Sequence, residues 1–191
     1  MHTINYRGQY FSVDGPLNLS RSVQGRPVLY TAGASPAFVE MAATYTDGAF
    51  IPGSSLEQAL HIANALRTKL TEKNRAPENF IVATAQNPIV AKTDAEAQQK
   101  YLEQVSLNRY RAMPAPLFFG SAERVANQVQ QWYEAGAMDM LIVNQDYPTG
   151  LADFAELVVP ILQERGIFHT EYEADTLRGN LELPRPKFRK I

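Results

Sequence analysis

Residues 27–36 read Pro27-Val28-Leu29-Tyr30-Thr31-Ala32-Gly33-Ala34-Ser35-Pro36. The first six are aliphatic, β-branched or aromatic for the most part, which predicts a short strand. Gly33 and Ala34 then turn the chain. Ser35 suits a helix N-cap, and Pro36 suits the first helical position, where its missing N–H leaves no helical bond unmade. Phe38, Val39, Ala42 and Ala43 recur on one face of the helix that follows. A strand that enters a helix through a tight turn is the building unit of a parallel sheet.

The same unit recurs downstream. Asp47-Gly48-Ala49-Phe50-Ile51 predicts a second strand, closed by Pro52-Gly53. Ser55 and Gln58 have capping-box spacing, and Leu56, Ala59, Leu60, Ala63, Leu66 and Leu70 form an apolar stripe that ends near Asn74 and Pro77. Phe80 to Ala85 predicts the third strand, running on toward Pro88-Ile89-Val90. Thr93 and Glu96 repeat the capping box ahead of Ala97, Tyr101 and Val105. Residues 107–120 read as irregular, because Met113-Pro114-Ala115-Pro116 suits neither a helix nor a central strand. Order restarts at Gly120-Ser121, with Ser121 as cap and Val125, Val129, Trp132 and Tyr133 on one face as far as Gly136. Met138 to Val143 predicts the fourth strand. Leu151, Phe154, Leu157, Val158, Ile161 and Leu162 predict the last long helix.

Four strand–helix units imply right-handed crossovers and an α/β fold built on a parallel sheet. Phe80 to Ala85 is apolar on both faces, as expected for a strand covered on both sides. The chain has 191 residues and no convincing linker, so one domain over 1–191 is expected. Residues 1–26 form an extended preamble with a short hairpin signal at Tyr10 to Pro16, and residues 165–191 form a polar, proline-bearing surface tail.

Composition excludes several function classes. The net charge is −2 with both signs interspersed, so no nucleic-acid partner is expected. The one basic cluster, Arg185, Lys187, Arg189 and Lys190, reads as a solvated terminus. There is no cysteine, hence no disulfide or thiolate site. No apolar run reaches the roughly 20 residues of a membrane helix, and residues 1–7 carry no apolar signal segment, so a cytoplasmic protein is expected. His2, His61 and His169 share no ligand spacing, and no metal site is expected. Asp47, Asp139 and Asp146 lie near strands and suit either turn closure or a ligand contact.

The best local candidate for chemistry is Gly33-Ala34-Ser35. N–H groups at a helix start point outward, and the peptide dipoles favour an anion there, so a phosphate fits. An ordinary strand-to-helix turn would use the same residues. Gly120-Ser121 is a second such turn, with a structural cap as its stronger reading. No catalytic residue stands out.

Several segments together resemble one family. Asn5-Tyr6-Arg7-Gly8-Gln9-Tyr10-Phe11-Ser12-Val13-Asp14-Gly15-Pro16-Leu17 is followed by Val23-Gln24-Gly25-Arg26-Pro27-Val28, Ala32-Gly33-Ala34-Ser35 and Asp47-Gly48-Ala49-Phe50. The similarity resumes at Gly120-Ser121-Ala122-Glu123-Arg124-Val125-Ala126, Gly136-Ala137-Met138-Asp139-Met140, Phe154 to Pro160 and Leu162 to Phe168, with Tyr172 and Thr176-Leu177-Arg178 behind. In this order they resemble the bacterial luciferase-like, FMN-dependent monooxygenases, in the branch of nitrilotriacetate, dibenzothiophene-sulfone and long-chain alkane monooxygenases. The resemblance implies a partial TIM-barrel-like fold of about four parallel βα units, matching the C-terminal half of the family's (β/α)8 barrel. It implies FMN as cofactor, with Gly33, Ala34, Ser35, Gly120 and Ser121 toward its phosphate, and a flavin reductase as supplier of reduced flavin. Arg165 and Arg178 match tail landmarks and read as packing or ion-pair residues.

The sequence also departs from the family pattern. Tyr6 stands where histidine is common, Phe38 where a small residue is common, and the segment between Tyr101 and Gly120 is short. A half-barrel alone argues against independent monooxygenase activity. It implies completion or rearrangement by a homodimer or higher homo-oligomer, or by a complementary N-terminal half-barrel chain. A non-enzymatic structural or interaction module is the other reading.

Overall fold

The computed structural model describes residues 3–16, 18–107, 116–145 and 147–186. His2, Leu17, the Met113-Pro114-Ala115 stretch, Asp146, Lys187, Arg189 and Lys190 lie outside the described residues. In chain order the strands are β1 (Tyr6–Arg7), β2 (Ser12–Val13), β3 (Tyr30–Ala32), β4 (Gly48–Phe50), β5 (Ile81–Gln86), β6 (Ile89–Ala91), β7 (Phe119–Ser121) and β8 (Met140–Val143). The helices are α1 (Pro36–Tyr45), α2 (Leu56–Glu72), α3 (Asp94–Leu107), α4 (Ala122–Glu134), α5 (Gly150–Asp153), α6 (Val159–Glu164) and α7 (Leu177–Asn180). A single π-helical turn, Phe154–Val158, joins α5 to α6.

The chain divides into two compact units. The smaller comprises Met1–Val28 and Glu173–Ile191. Its antiparallel pair β1–β2 aligns Tyr6 with Val13 and Arg7 with Ser12, so the preamble forms a hairpin, but its turn lies between Gly8 and Phe11 rather than at Asp14-Gly15-Pro16. Arg178 is buried and donates to the carbonyls of Pro27 at 3.2 Å and Pro184 at 3.4 Å. That is the structural role expected of it.

The larger unit, Leu29–Tyr172, holds an all-parallel sheet in the order β3-β4-β5-β8. Alternation along the strands sets two faces. Ala49, Val82, Leu141 and Val143 turn toward the core built by Phe38, Ala42, Ala63, Leu66, Val125, Val129 and Trp132 of the helices. The other face carries Tyr30, Phe50, Ile81, Ala83, Met140 and Ile142. On this second face Tyr30 and Ile142 remain 38% and 41% exposed. Gly48 is required beneath Tyr30, since a Cβ there would stand 2.5 Å from the ring.

The helices follow their caps. Ser35, Ser55 and Thr93 accept the N–H of Phe38 at 3.2 Å, Gln58 at 3.1 Å and Glu96 at 3.2 Å. Both glutamate-type partners reach back one residue beyond the cap, Gln58 to the Ser54 N–H and Glu96 to the Lys92 N–H, each at 3.2 Å. Three expectations differ from what forms. The third strand does not run on through Pro88: β5 stays with β8, while β6 leaves to pair in parallel with β7, a strand the irregular reading of 107–120 missed. Tyr133 and Leu151, expected on buried faces, are exposed. The last helix is broken by the π turn, where Val159 N–H reaches Phe154 O.

Asp47 and Asp139 close strand starts. Each stands just ahead of its strand and mimics an extra strand partner. Asp47 N–H donates to Leu29 O at 2.8 Å while its Oδ2 accepts the Leu29 N–H at 3.0 Å. Asp139 does the same with Val82, at 2.8 Å in both directions. Partial burial and these two carboxylates, Asp139 ahead of Asp47, push the Tyr30 phenol up to about 12, so it stays protonated. Asp139→Ala strands the Val82 N–H and should cost about 1 kcal/mol in urea unfolding, with Asp139→Asn recovering most of it.

Candidate functional site

All four strands of the main sheet point their carboxyl ends the same way, and ligands of open or closed parallel α/β sheets bind at that end. Here the end is a continuous rim of main-chain and amide bonds. Gly33 N–H reaches Phe50 O at 3.1 Å, tying the end of β3 to that of β4. The buried Gln86 donates from Nε2 to Gly53 O at 2.7 Å, tying β5 to the loop after β4. Asn144 completes the rim: its N–H bonds Gln86 O at 2.9 Å, and its Nδ2 bonds Asn87 Oδ1 at 3.1 Å.

Gly33, Ala34 and Ser35 form the β3–α1 turn on this rim. Ser35 is the N-cap of α1, and its Oγ is engaged by Phe38 N–H. Pro36 offers no N–H. Among the described residues no protein acceptor takes the N–H groups of Ala34, Ser35 or Ala37, and all three residues are exposed. The turn therefore presents unpaired main-chain donors to solvent at the positive end of a 10-residue helix. Phe38 stands where a small residue is common in the family. It is buried, and a Cβ on Gly33 would sit 2.9 Å from its Cδ2, so the ring braces the turn from beneath.

Gly120 and Ser121 lie on the β7–α4 turn, in the separate β6–β7 sheet. Ser121 occupies the N-cap position without a side-chain cap bond. Its N–H is already taken by Asp94 Oδ1 at 2.7 Å, and Arg124 stands 3.5 Å from Asp94 Oδ2. That amide holds the Asp94 carboxyl below the usual carboxylate range. A Cβ on Gly120 would fall 2.6 Å from Asp94 Oδ1, which accounts for the glycine. No hydrogen bond among the described residues joins the two turns. An incoming anion meets open donors at Ser35 and a resident carboxylate at Ser121.

Other candidates resolve simply. His61 is exposed on α2. Arg165 pairs with Glu123 at 3.0 Å and donates to Gln130 at 2.9 Å, a helix-to-helix contact. Among the described residues no cluster of three His, Asp or Glu could hold a metal ion, and no helix is long and apolar enough to cross a membrane. Sequence reasoning missed the Asp94 contact and a network around Lys100, both of which join residues with no diagnostic spacing.

Known proteins give this geometry a lineage. N-acetyl-S-(2-succino)cysteine monooxygenase of Bacillus subtilis (strain 168) is 30% identical, over 97% of this chain and 56% of the relative. The crystal structure of long-chain alkane monooxygenase superposes with a TM-score of 0.81 at 27% identity, covering 95% of this chain and 51% of that one. A riboflavin lyase solved with modified FMN and riboflavin also reaches 0.81, at 24% identity, over 98% of this chain and 54% of its own; that likeness speaks to fold. The chain thus spans about half the length of the relatives it matches. The alignment with the Bacillus protein runs over 250 residues, more than the 191 of this chain, so the relative carries insertions inside the matched span. The luciferase-like monooxygenase family model matches residues 1–117, well over half of the sequence. With a parallel sheet, a strand-to-helix turn on its carboxyl-end rim and that match in hand, this chain belongs to the luciferase-like monooxygenase family.

Proposed function

We propose that this chain is a divergent luciferase-like flavoprotein in which the β3–α1 turn holds the phosphate of FMN. The observation that carries the reading is the set of unpaired N–H groups at Ala34, Ser35 and Ala37, on the ligand-binding rim of a parallel sheet. Gly33 lets the turn close over Phe38, and Ser35 fixes the helix start, so the donors are held in place before an anion arrives. Once bound, the reduced flavin supplies the oxygen chemistry typical of the family. The protein's part is to orient it and exclude water.

The second face of the sheet bears on how this is done. Tyr30, Phe50, Met140 and Ile142 form an apolar surface, and β3 and β8 are edge strands among the described residues. Parallel sheets are normally covered on both faces. The reading therefore includes further polypeptide, either a second copy of this chain or a complementary half-barrel, with a flavin reductase as the source of reducing equivalents. Until the sheet is completed, monooxygenase turnover by this chain alone is not expected.

Titrating FMN into phosphate-free protein and following flavin fluorescence tests the site. Saturable quenching is expected, with riboflavin binding at least tenfold more weakly because it lacks the charge-assisted phosphate bonds. No saturable change with FMN removes the cofactor. Equal affinity for riboflavin removes the phosphate site. Sedimentation equilibrium checks the completion: a single-chain mass at micromolar concentration excludes the second copy and leaves the complementary chain.

A further inference from the structure

The loop after β8 reaches α5 through Asn144, Gln145, Tyr147, Pro148 and Thr149, and it lies on the carboxyl-end rim. Such loops are ordinarily among the least stable parts of a domain. This one is gripped from α3. Lys100 Nζ donates to Asp153 Oδ2 at 2.7 Å and to Val90 O of β6 at 2.9 Å, and it sits 5.5 Å above the Tyr147 ring. One turn along α3, Glu103 Oε2 accepts the Tyr147 hydroxyl at 2.8 Å. Thr149 Oγ1 completes the set with a 2.6 Å bond to Asp153 Oδ2.

Lys100 and Asp153 are 22% and 20% exposed, so water screens their pairing less than it does a surface bridge. An ammonium has three N–H donors. Here two go to oxygen acceptors and the charge also rests against an aromatic face, a favourable arrangement in its own right. What the charge accomplishes is a join between three elements, α3, β6 and the β8–α5 loop.

We propose that Lys100 is a positioning residue that latches the β8–α5 loop onto α3 and β6 and thereby fixes one wall of the ligand mouth. The latch stands on the geometry above; its effect on a ligand rests on the flavin reading.

Hydrogen exchange and FMN titration on Lys100→Met and Lys100→Arg separate the two claims. In Lys100→Met, exchange across residues 144–153 should rise about tenfold, while the amides of Ile81–Gln86 stay as slow as in the parent protein. FMN affinity should fall roughly three- to tenfold by the same coupling. Lys100→Arg, which keeps the charge but presents a planar fork in place of a compact ammonium, should restore both in part. If Lys100→Met proves too unstable to study, Asp153→Asn leaves Lys100 in place and should raise exchange over the same residues. Unchanged exchange at 144–153 overturns the latch. A loosened loop with unaltered FMN affinity overturns its bearing on the ligand. If the parent protein binds no FMN, the flavin reading falls, and the exchange result alone upholds or overturns the latch.

Discussion

Phe118→Ala should destabilise the larger unit by about 3–5 kcal/mol, the range for truncating a buried aromatic side chain in a core that cannot collapse around the gap. Phe118 is 1% exposed and meets the buried Trp132 edge to face, with ring centroids 5.4 Å apart and planes at 85°. Its carbonyl accepts the Ile89 N–H at 3.0 Å, so the residue also holds β6 beside β7. The side chain belongs to the main core, while the carbonyl, just ahead of β7, bonds the first residue of β6. Removing the ring therefore loosens the seam between the two sheets. Against the 5–15 kcal/mol that typically separates folded from unfolded domains, such a loss is large. Phe118→Leu keeps most of the volume and should cost about 1–2 kcal/mol. Trp132 is the single tryptophan of the chain, so its fluorescence in urea follows this unit without interference. A change below 1 kcal/mol for Phe118→Ala would mean that Phe118 does not hold this seam.

Much of the main sheet was legible because its signals are local. Ser35, Ser55 and Thr93 announce helix starts through residues three positions away, and all three bonds form. The stripe from Ala59 to Leu70 needs only the helical period, and Ala59, Ala63, Leu66 and Leu70 are buried. What stayed hidden depends on distant partners or on broken periodicity. β7 is three residues long and follows a proline-rich stretch, so its strand character comes from β6 rather than from its own composition. Pro88 cannot donate to a ladder, and there the chain leaves β8 and continues in another sheet.

The exposed Tyr133 and Leu151 show how a helical stripe misleads. Val125, Val129 and Trp132 lie within about 40° of one line on a helical wheel, whereas Tyr133 lies about 80° from Val125, at the stripe's edge. For Leu151 the period itself fails. Pro160 has no N–H, and its ring would crowd the carbonyl four residues back, at Glu156. The chain answers with the π turn Phe154–Val158, where the 3.6-residue period that the stripe assumed no longer holds. Phe154 and Val158, the two ends of that turn, are buried, as is Leu162 beyond it, whereas Leu151 ahead of the turn is exposed. The site was half legible for a related reason. Gly33-Ala34-Ser35 can be read from one decapeptide. The carboxylate of Asp94 on Ser121 bridges 27 positions in sequence, and no spacing rule reports it.

Ser35→Asp should leave the fold as stable as the parent while weakening FMN binding by roughly 10- to 100-fold, the cost of one like charge within about 4–6 Å of a phosphate at intermediate dielectric. Aspartate caps helices as well as serine does, and its charge also suits the helix start. The Phe38 N–H therefore keeps an acceptor, and α1 should begin where it does now. The anion site, in contrast, is filled in advance, much as Asp94 already fills the Ser121 turn. Ser35→Ala makes the opposite change. It removes the cap, for a loss of about 1 kcal/mol, yet leaves the N–H groups of Ala34, residue 35 and Ala37 open, so FMN affinity should drop less than tenfold. The two variants are thus ordered one way by urea unfolding and the other way by flavin titration. A purely structural turn cannot produce that crossing, because both effects would then follow helix stability alone. Riboflavin, which carries no phosphate, should bind the parent and Ser35→Asp equally well. If Ser35→Asp holds FMN as tightly as the parent, the phosphate lies elsewhere, and the β3–α1 turn is a helix cap only.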